Sequence, residues 1–243
     1  MLAMTDTMEQ KLNIVLDLDN TLLCAVEFRE IMNSNFDPIF NEKLKYIDFI
    51  FEDKPLYRIF LRPNLEDFLD YLFDEFNVSV FTNADKDYAD FVATNIILKN
   101  SQDKPPRKLD FVFYRYHSNI VLQNYGKMKD LRFLWEMAHI YYFFPSNTII
   151  IDDLDLVKQS NYYNCLAIKP FEISLRNLLI SKGIGNTKKY IDNIFQDNSL
   201  INVSRKLFLL NKKYSLETDH ESQNINQLYI PILIDDKEID KIY

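Results

Sequence analysis

Lys11–Asn20 reads KLNIVLDLDN and is followed at once by Thr21-Leu22-Leu23. A short, β-branched, almost wholly apolar run without polar alternation is the pattern of a strand covered on both faces in a parallel sheet. It ends in acid, Asp17-Leu18-Asp19. The pattern returns twice. Asn77–Thr82 (NVSVFT) is a second short strand closing on a hydroxyl, and Asn147–Ile151 (NTIII) is as apolar as the first and closes on Asp152-Asp153. Further strands are expected at Leu56–Leu61, Asp110–Tyr116 and Tyr163–Ile168.

Helical spacing fills the intervals. Leu65, Phe68, Leu69, Leu72, Phe73 and Phe76 follow Arg62-Pro63-Asn64, with Asn64 and Asp67 as the expected helix cap. A second helix is expected from Asp85, with Tyr88, Phe91, Val92 and Ile96 on one face, and others over Lys129–Tyr142 and Glu172–Ser181. Residues 24–55 show no clean period and contain turn formers, so they are read as an excursion that leaves the sheet, with Leu56–Leu61 as its return. From Tyr190 a helix is expected through Asn211, then a polar tail. Alternation of this kind predicts an α/β fold: an open, mainly parallel sheet flanked by helices, with a small insertion after the first strand and no large cap domain. Ligands of such sheets bind at the carboxyl ends of the strands.

Composition narrows the function classes. With 243 residues, 47% hydrophobic and 26% charged, the chain is an ordinary globular protein of one large domain or two small ones. Its glycines are Gly126, Gly183 and Gly185, too few for a Walker loop or a GxGxxG fingerprint. A net charge of −8 argues against strong nucleic-acid binding, which needs clustered cations. Cys24 and Cys165 have no CxxC spacing, and no disulfide is expected. There is no apolar signal region and no apolar run of the ~18 residues that suggest a membrane span, so no membrane partner is expected and the location is read as cytoplasmic or nuclear.

An isolated DxD is commonly a solvated turn or a helix cap. Here acid follows immediately on buried strands whose ends should converge, and carboxylates gathered in that way repel unless a cation neutralises them; hard oxygen ligands suit Mg²⁺.

These residues carry a resemblance. DLDNTL after a buried strand, FTN after another, a lysine before a helix and IIIDD after a later strand resemble the four motifs of the haloacid dehalogenase (HAD) superfamily. More closely, Phe60–Ile96 (FLRPNLEDFLDYLFDEFNVSVFTNADKDYADFVATNI), with YGKMKDL and IIDDLD after it, is similar to the FCP/SCP-type, NLI-interacting-factor-like phosphatases that act on the C-terminal domain (CTD) of RNA polymerase II. The resemblance covers roughly residues 12–182 and implies a HAD-like Rossmannoid fold. It implies that Asp17 is the nucleophile that forms an aspartyl-phosphate, and that Asp19 is the general acid and then the base that activates water. Thr82 would hydrogen-bond a phosphoryl oxygen. Asp17, the Asp19 carbonyl, Asp152 and Asp153 would serve Mg²⁺, and a lysine would offset charge on the phosphoryl group. Lys129 is favoured for that lysine because it keeps the Asp-Leu context and is expected to open a helix, whereas Lys127 keeps the family's spacing from Tyr125. Leu154-Asp155 stands where the family often has Ser-Pro. Arg62 is read either as a contact to a substrate phosphate or as a structural ion-pair partner. His117, His139 and His220 share no ligand spacing.

The function so implied is Mg²⁺-dependent hydrolysis of phosphoserine or phosphothreonine in a phosphoprotein partner. The alternatives are a catalytically silent binding protein of the same fold, or a phosphatase of a small molecule or nucleic-acid end. Retention of both Asp17 and Asp19 argues against silence, and the short excursion favours a site open to a peptide. Residues 11–185 are read as the phosphatase-type domain and 186–243 as a C-terminal helical extension and polar tail whose sequence suggests no role. Richness in Asn, Ile, Lys, Tyr and Phe fits an AT-rich coding sequence of the kind found in parasites, slime moulds and large DNA viruses; a viral protein would act in its host cell.

Overall fold

The structure, a computed structural model, describes residues 11–33, 39–99, 104–173 and 184–220. At its centre lies a five-stranded, all-parallel sheet in the order β6-β5-β1-β7-β8. Its members are β1 (Asn13–Leu16), β5 (Asn77–Phe81), β6 (Leu109–Phe113), β7 (Thr148–Asp152) and β8 (Cys165–Ala167). The strand order reverses at β1, the position where a crevice opens at the carboxyl edge of such a sheet. Leu16 of β1 pairs with Val80 of β5 on one side and with Ile151 of β7 on the other.

The apolar run of β1 is buried on both faces because successive side chains point to opposite sides. Ile14 and Leu16 join Val78, Val80, Ile149 and Ile151 on one face, against α3 (Leu65–Glu75). Val15, Phe81 and Ile150 face the other way, toward Val121, Leu134 and Phe143. The first of these faces is completed by Leu200, Val203, Leu207 and Leu210 of the long C-terminal helix α8 (Ser199–His220), which follows α7 (Ile184–Phe195).

The excursion after β1 builds a sheet of its own. β2 (Leu23–Glu27), β3 (Tyr46–Phe51) and β4 (Lys54–Leu61) form a three-stranded antiparallel sheet in the order β2-β4-β3, with short helices α1 (Phe28–Asn33) and α2 (Ile39–Lys43) between β2 and β3. The expected strand at Leu56–Leu61 therefore exists but belongs to the insertion rather than to the main sheet. Glu52 and Asp53 both take positive φ between β3 and β4, as a tight hairpin requires, without the Gly or Asn that usually marks one.

Several local expectations change. Asn64 stands before α3 in a left-handed conformation and makes no side-chain cap bond; its amide donates instead to the Asp197 carbonyl at 3.4 Å. β6 stops at Phe113, and the chain turns directly into α5 (Arg115–Tyr125), where the sequence had suggested strand through Tyr116. α5 buries only Ser118 and Val121, so it has no apolar stripe to read; its one signal is Gly126, which ends it at φ 64°. The helix expected over Lys129–Tyr142 shrinks to a single wide turn at Phe133–Met137. After β5, α4 (Lys86–Val92) runs into a similar wide turn at Ala93–Ile97, and α6 (Asp155–Ser160) links β7 to β8. The helix expected at Glu172–Ser181 lies largely outside the described residues, as does the tail beyond residue 220. Among the described residues no helix is long and apolar enough to cross a membrane. Cys24 and Cys165 are free, buried thiols.

Candidate active site

Three adjacent strands deliver their ends to one place. Asp17 follows β1, Thr82 follows β5, and Asp152 is the last residue of β7 with Asp153 next to it. Asp17, Thr82 and Asp153 line a cleft of about 380 Å³ together with Asp19, Tyr57, Tyr88, Arg115 and Lys129. Asp17 and Asp152 are buried, and Asp153 is partly exposed. One carboxylate oxygen from each of the three lies within 4.8 Å of the others.

Lys129 enters this cluster with its side chain 1% exposed. Its Nζ donates to Asp17 Oδ1 at 2.5 Å and to Asp152 Oδ2 at 2.7 Å. Burial alone would lower this ammonium, yet Asp17 and then Asp152 carry it above its usual range, so it stays charged. The surplus lies on the acidic side. Burial, and after it the charge of Asp17, pushes Asp152 up to about 7, and the same causes in the same order raise Asp153. Thr21 adds a hydroxyl within reach of Asp17 Oδ2 (3.1 Å) and Asp153 Oδ1 (3.2 Å). That hydroxyl has one hydrogen for two acceptors.

Asp19 occupies a different environment from Asp17. Tyr88 Oη donates to its Oδ1 at 2.7 Å, and burial outweighs that bond to raise its carboxyl to about 6. Thr82 is 1% exposed; its Oγ1 accepts from the Ala84 N–H at 3.1 Å, which leaves the hydroxyl hydrogen to donate toward the cleft. Arg115 pairs with Asp85 at 2.7 Å on the rim, both side chains exposed.

Residues 12–182 match the model of the NLI interacting factor-like phosphatases. The chain belongs to that family. It is 42% identical over 163 residues to a protein of Invertebrate iridescent virus 6 named CTD phosphatase-like protein 355R, an alignment covering 65% of this chain and 85% of the viral one. The corresponding protein of Invertebrate iridescent virus 3 is 34% identical over 163 residues, covering 65% of this chain and 83% of that one. Among solved structures, the chain is similar to Fcp1, an essential RNA polymerase II CTD phosphatase (TM-score 0.60, 17% identity, 92% of this chain and 69% of that one). Fission yeast Fcp1 carrying a substitution and bound to beryllium fluoride gives a TM-score of 0.61, with the same identity and coverage. At that identity the structures speak for the HAD-like fold, and the family match identifies a phosphatase.

The family implies a divalent cation, and the donor set fits one. With all three carboxylates ionised they exceed the one ammonium by about two negative charges in an all-oxygen cluster, which is the charge and ligand chemistry of a hard divalent ion. The Asp19 carboxylate accepts from Tyr88 and is not one of the three clustered carboxylates.

Of the residues singled out in the sequence, Asp17, Asp19, Thr82, Lys129 and Asp153 all line the cleft, with Asp152 directly behind them. Lys127 is exposed. Lys129 reaches the cluster for a reason other than the expected helix: it sits in a turn with φ 44°, a left-handed conformation that non-glycine residues seldom hold. Asn161, at the end of α6, clamps that turn by donating to the Lys129 carbonyl at 3.0 Å and accepting from Leu131 N–H at 2.9 Å. Asp130 adds an Asx-type bond, its Oδ1 accepting from Arg132 N–H at 3.0 Å. The sequence offered no sign of Asn161, which lies some thirty residues away. Thr21 and Tyr88 were also missed as partners of the two motif carboxylates, although Thr21 stands within the DLDNTL motif itself. Arg62 is a structural ion-pair partner: its buried guanidinium meets Asp197 and backbone carbonyls and does not line the cleft.

Proposed function

We propose that this phosphatase hydrolyses phosphoserine or phosphothreonine exposed on a protein, using a divalent cation and an aspartyl-phosphate at Asp17. The observation that carries the reading is the division of labour between Asp17 and Asp19. Two carboxylates from one motif stand in one cleft, one beside an ammonium and a hydroxyl, the other held by Tyr88 where burial favours a proton. Environments that separate two carboxyl groups in this way suit one to nucleophilic attack and the other to proton transfer.

In the first step an Asp17 oxygen attacks phosphorus, the bond to the serine or threonine oxygen breaks, and Asp19 gives that oxygen its proton. In the second, Asp19 takes a proton from water as the water oxygen attacks the aspartyl-phosphate, releasing inorganic phosphate and restoring Asp17. Thr82 donates its hydroxyl hydrogen to a phosphoryl oxygen, and Lys129 balances negative charge on the transferred group. Asp17, Asp152 and Asp153, with the Asp19 carbonyl, would hold the cation, which when bound supplies Lewis-acid charge to the phosphoryl oxygens. The viral relatives' name and the shortness of the insertion, whose Ala25 and Tyr57 form part of the cleft wall, favour a peptide substrate such as a polymerase CTD-like repeat.

The test is release of inorganic phosphate from a set of phosphoserine and phosphothreonine peptides, with and without Mg²⁺. Activity that persists unchanged under exhaustive chelation removes the metal from the reading. Activity confined to nucleotides or sugar phosphates removes the protein substrate.

A further inference from the structure

We infer that Asp197, outside the family-matched residues 12–182, is a positioning residue for the loop that carries Asp17 and Asp19, and that it acts through Arg62. The inference rests on the reading of Asp17 as nucleophile.

Arg62 has no exposed side-chain surface, and Asp197 has 8%. Asp197 lies in the turn between α7 and α8, where its Oδ1 accepts from the Ser199 N–H at 2.7 Å, so its carboxylate is fixed by the start of α8. That carboxylate receives Arg62 Nη2 at 2.9 Å and Nε at 3.3 Å, the two-pronged contact a guanidinium makes best. The rest of the guanidinium is spent on backbone carbonyls, two of them in the loop. Nη1 donates to the Thr21 carbonyl at 2.7 Å and approaches the Asn20 carbonyl at 3.5 Å, while Nη2 also donates to the Lys169 carbonyl at 2.7 Å.

The loop is held from outside as well as by its own backbone bonds, among them Asn20 N–H to the Leu23 carbonyl at 2.7 Å. Asn20 sits at φ 60°, a conformation that costs energy in any residue but glycine, though least in Asn and Asp. Its carbonyl is further held by the Phe171 N–H at 2.7 Å, and the Phe171 ring lies 5.5 Å beneath the Arg62 guanidinium. Thr21, whose carbonyl Arg62 grips, is the residue whose hydroxyl meets Asp17 and Asp153. A continuous path therefore runs from Asp197 through Arg62 and the Thr21 peptide to the nucleophile. Asp197 touches neither the cleft nor the motif carboxylates, so its effect is on their placement.

The test compares Asp197→Ala and the near-isosteric Asp197→Asn with Leu207→Ala, which loosens the buried face of α8 without touching Arg62. All are assayed in the full chain on para-nitrophenyl phosphate with Mg²⁺, below their measured unfolding temperatures. Misplacement of reacting groups by fractions of an ångström to an ångström is costly, so Asp197→Ala should lower kcat about tenfold or more, with KM within about twofold. Asp197→Asn, which keeps an acceptor for Arg62, should fall between it and wild type. Leu207→Ala should lose at least comparable thermal stability and keep kcat within about twofold. The inference is overturned if the Asp197 variants keep wild-type kcat, or if kcat falls in step with stability in Leu207→Ala as well. Should Asp197→Ala not fold, the comparison of Asp197→Asn with Leu207→Ala decides alone. Asp17→Asn is run beside them: turnover there defeats the nucleophile reading itself, whereas an inactive Asp17→Asn with normal Asp197 variants defeats only the positioning role.

Discussion

The strands β1, β5 and β7 are capped at their amino edge by Asn13, Asn77 and Asn147, and at their carboxyl edge by Asp17, Thr82 and Asp152. About four residues of strand, roughly 13 Å, separate two polar clusters built on the same frame. At the amino edge every amide finds a neutral partner. Asn77 Nδ2 donates to Asn13 Oδ1 at 2.9 Å, Asn13 Nδ2 donates to Asn147 Oδ1 at 3.1 Å and to the Tyr142 carbonyl at 2.9 Å, and Asn147 Oδ1 also accepts from the Phe144 N–H at 2.8 Å. At the carboxyl edge three carboxylates share one ammonium and one hydroxyl. The first cluster is satisfied by neutral partners within the folded chain and ties β5, β1 and β7 together at one edge. The second is short of positive charge, and burial with the neighbouring Asp17 charge raises Asp152 and Asp153, so protons or a cation relieve it. Replacing a residue at one edge should therefore read out in stability, and at the other in turnover.

The largest effect belongs to the motif carboxylates. Asp17→Asn removes the attacking charge while keeping the side-chain shape, and turnover of an aryl phosphate should fall below detection; Asp19→Asn should be nearly as severe. Retention of the wild-type rate by either variant at matched thermal stability would break the assignment of the carboxyl edge. Next comes Lys129→Ala, which should cost on the order of 10²-fold in kcat, the size of losing an electrostatic donor in other active sites. Lys127→Ala should change kcat by less than about twofold. A reversal of these two would mean that the solution structure of residues 127–131 differs from the turn clamped by Asn161.

The amino edge should answer in the other currency. Asn13→Ala removes a fully buried amide, leaves the half-buried Asn77 amide without its acceptor and should destabilise by about 2 kcal/mol, lowering Tm by roughly 4–8 °C. Its kcat, measured well below Tm, should stay within about twofold of wild type. A tenfold loss of kcat without loss of stability would erase the distinction between the two edges.

The sequence made the carboxyl edge readable and left the amino edge silent, for a physical reason. Apolar strands that end in acid are rare enough in combination that Asp17, Asp19, Thr82, Asp152 and Asp153 announce themselves, and the alternation around them points to the α/β sheet. Asparagine before a strand is an ordinary turn residue, so Asn13, Asn77 and Asn147 carry no signal until the sheet brings them together. Long-range contacts escaped in the same way: Asn161 on the Lys129 turn, Asp197 on Arg62, Tyr88 on Asp19. The insertion's small sheet was hidden because β2 is mostly buried and β3 half exposed, so neither shows a clean alternation, and no turn glycine bounds them. The helix expected from Lys129 onward failed because the buried ammonium's demand for Asp17 and Asp152 holds its backbone in a left-handed turn, overriding local propensity.

The smallest effect concerns pH and follows from the sign of the shifts at the carboxyl edge. Asp152 is raised to about 7, against an unfolded carboxyl near 3.8, so between those values the folded chain holds a proton that the unfolded chain has released. Stability of the cation-free protein contributed by this group therefore falls as pH rises through that window, the reverse of an ion-paired acid whose pKa is depressed. Asp152→Asn cannot ionise and escapes the cost. In chelator at pH 8 it should unfold later than wild type by an amount on the order of 1 kcal/mol, about 2–4 °C, and the advantage should shrink as pH is lowered toward 5. Comparing the two chains at each pH cancels groups common to both, including His117, whose burial lowers its own pKa. Asn13→Ala supplies the opposite edge as a control: no titratable group is removed, so its Tm deficit should be the same at pH 5 and pH 8. A constant offset for Asp152→Asn would show that burial and the Asp17 charge do not raise its carboxyl in the folded chain. A deficit for Asn13→Ala that bends with pH would show that the two edges are not independent.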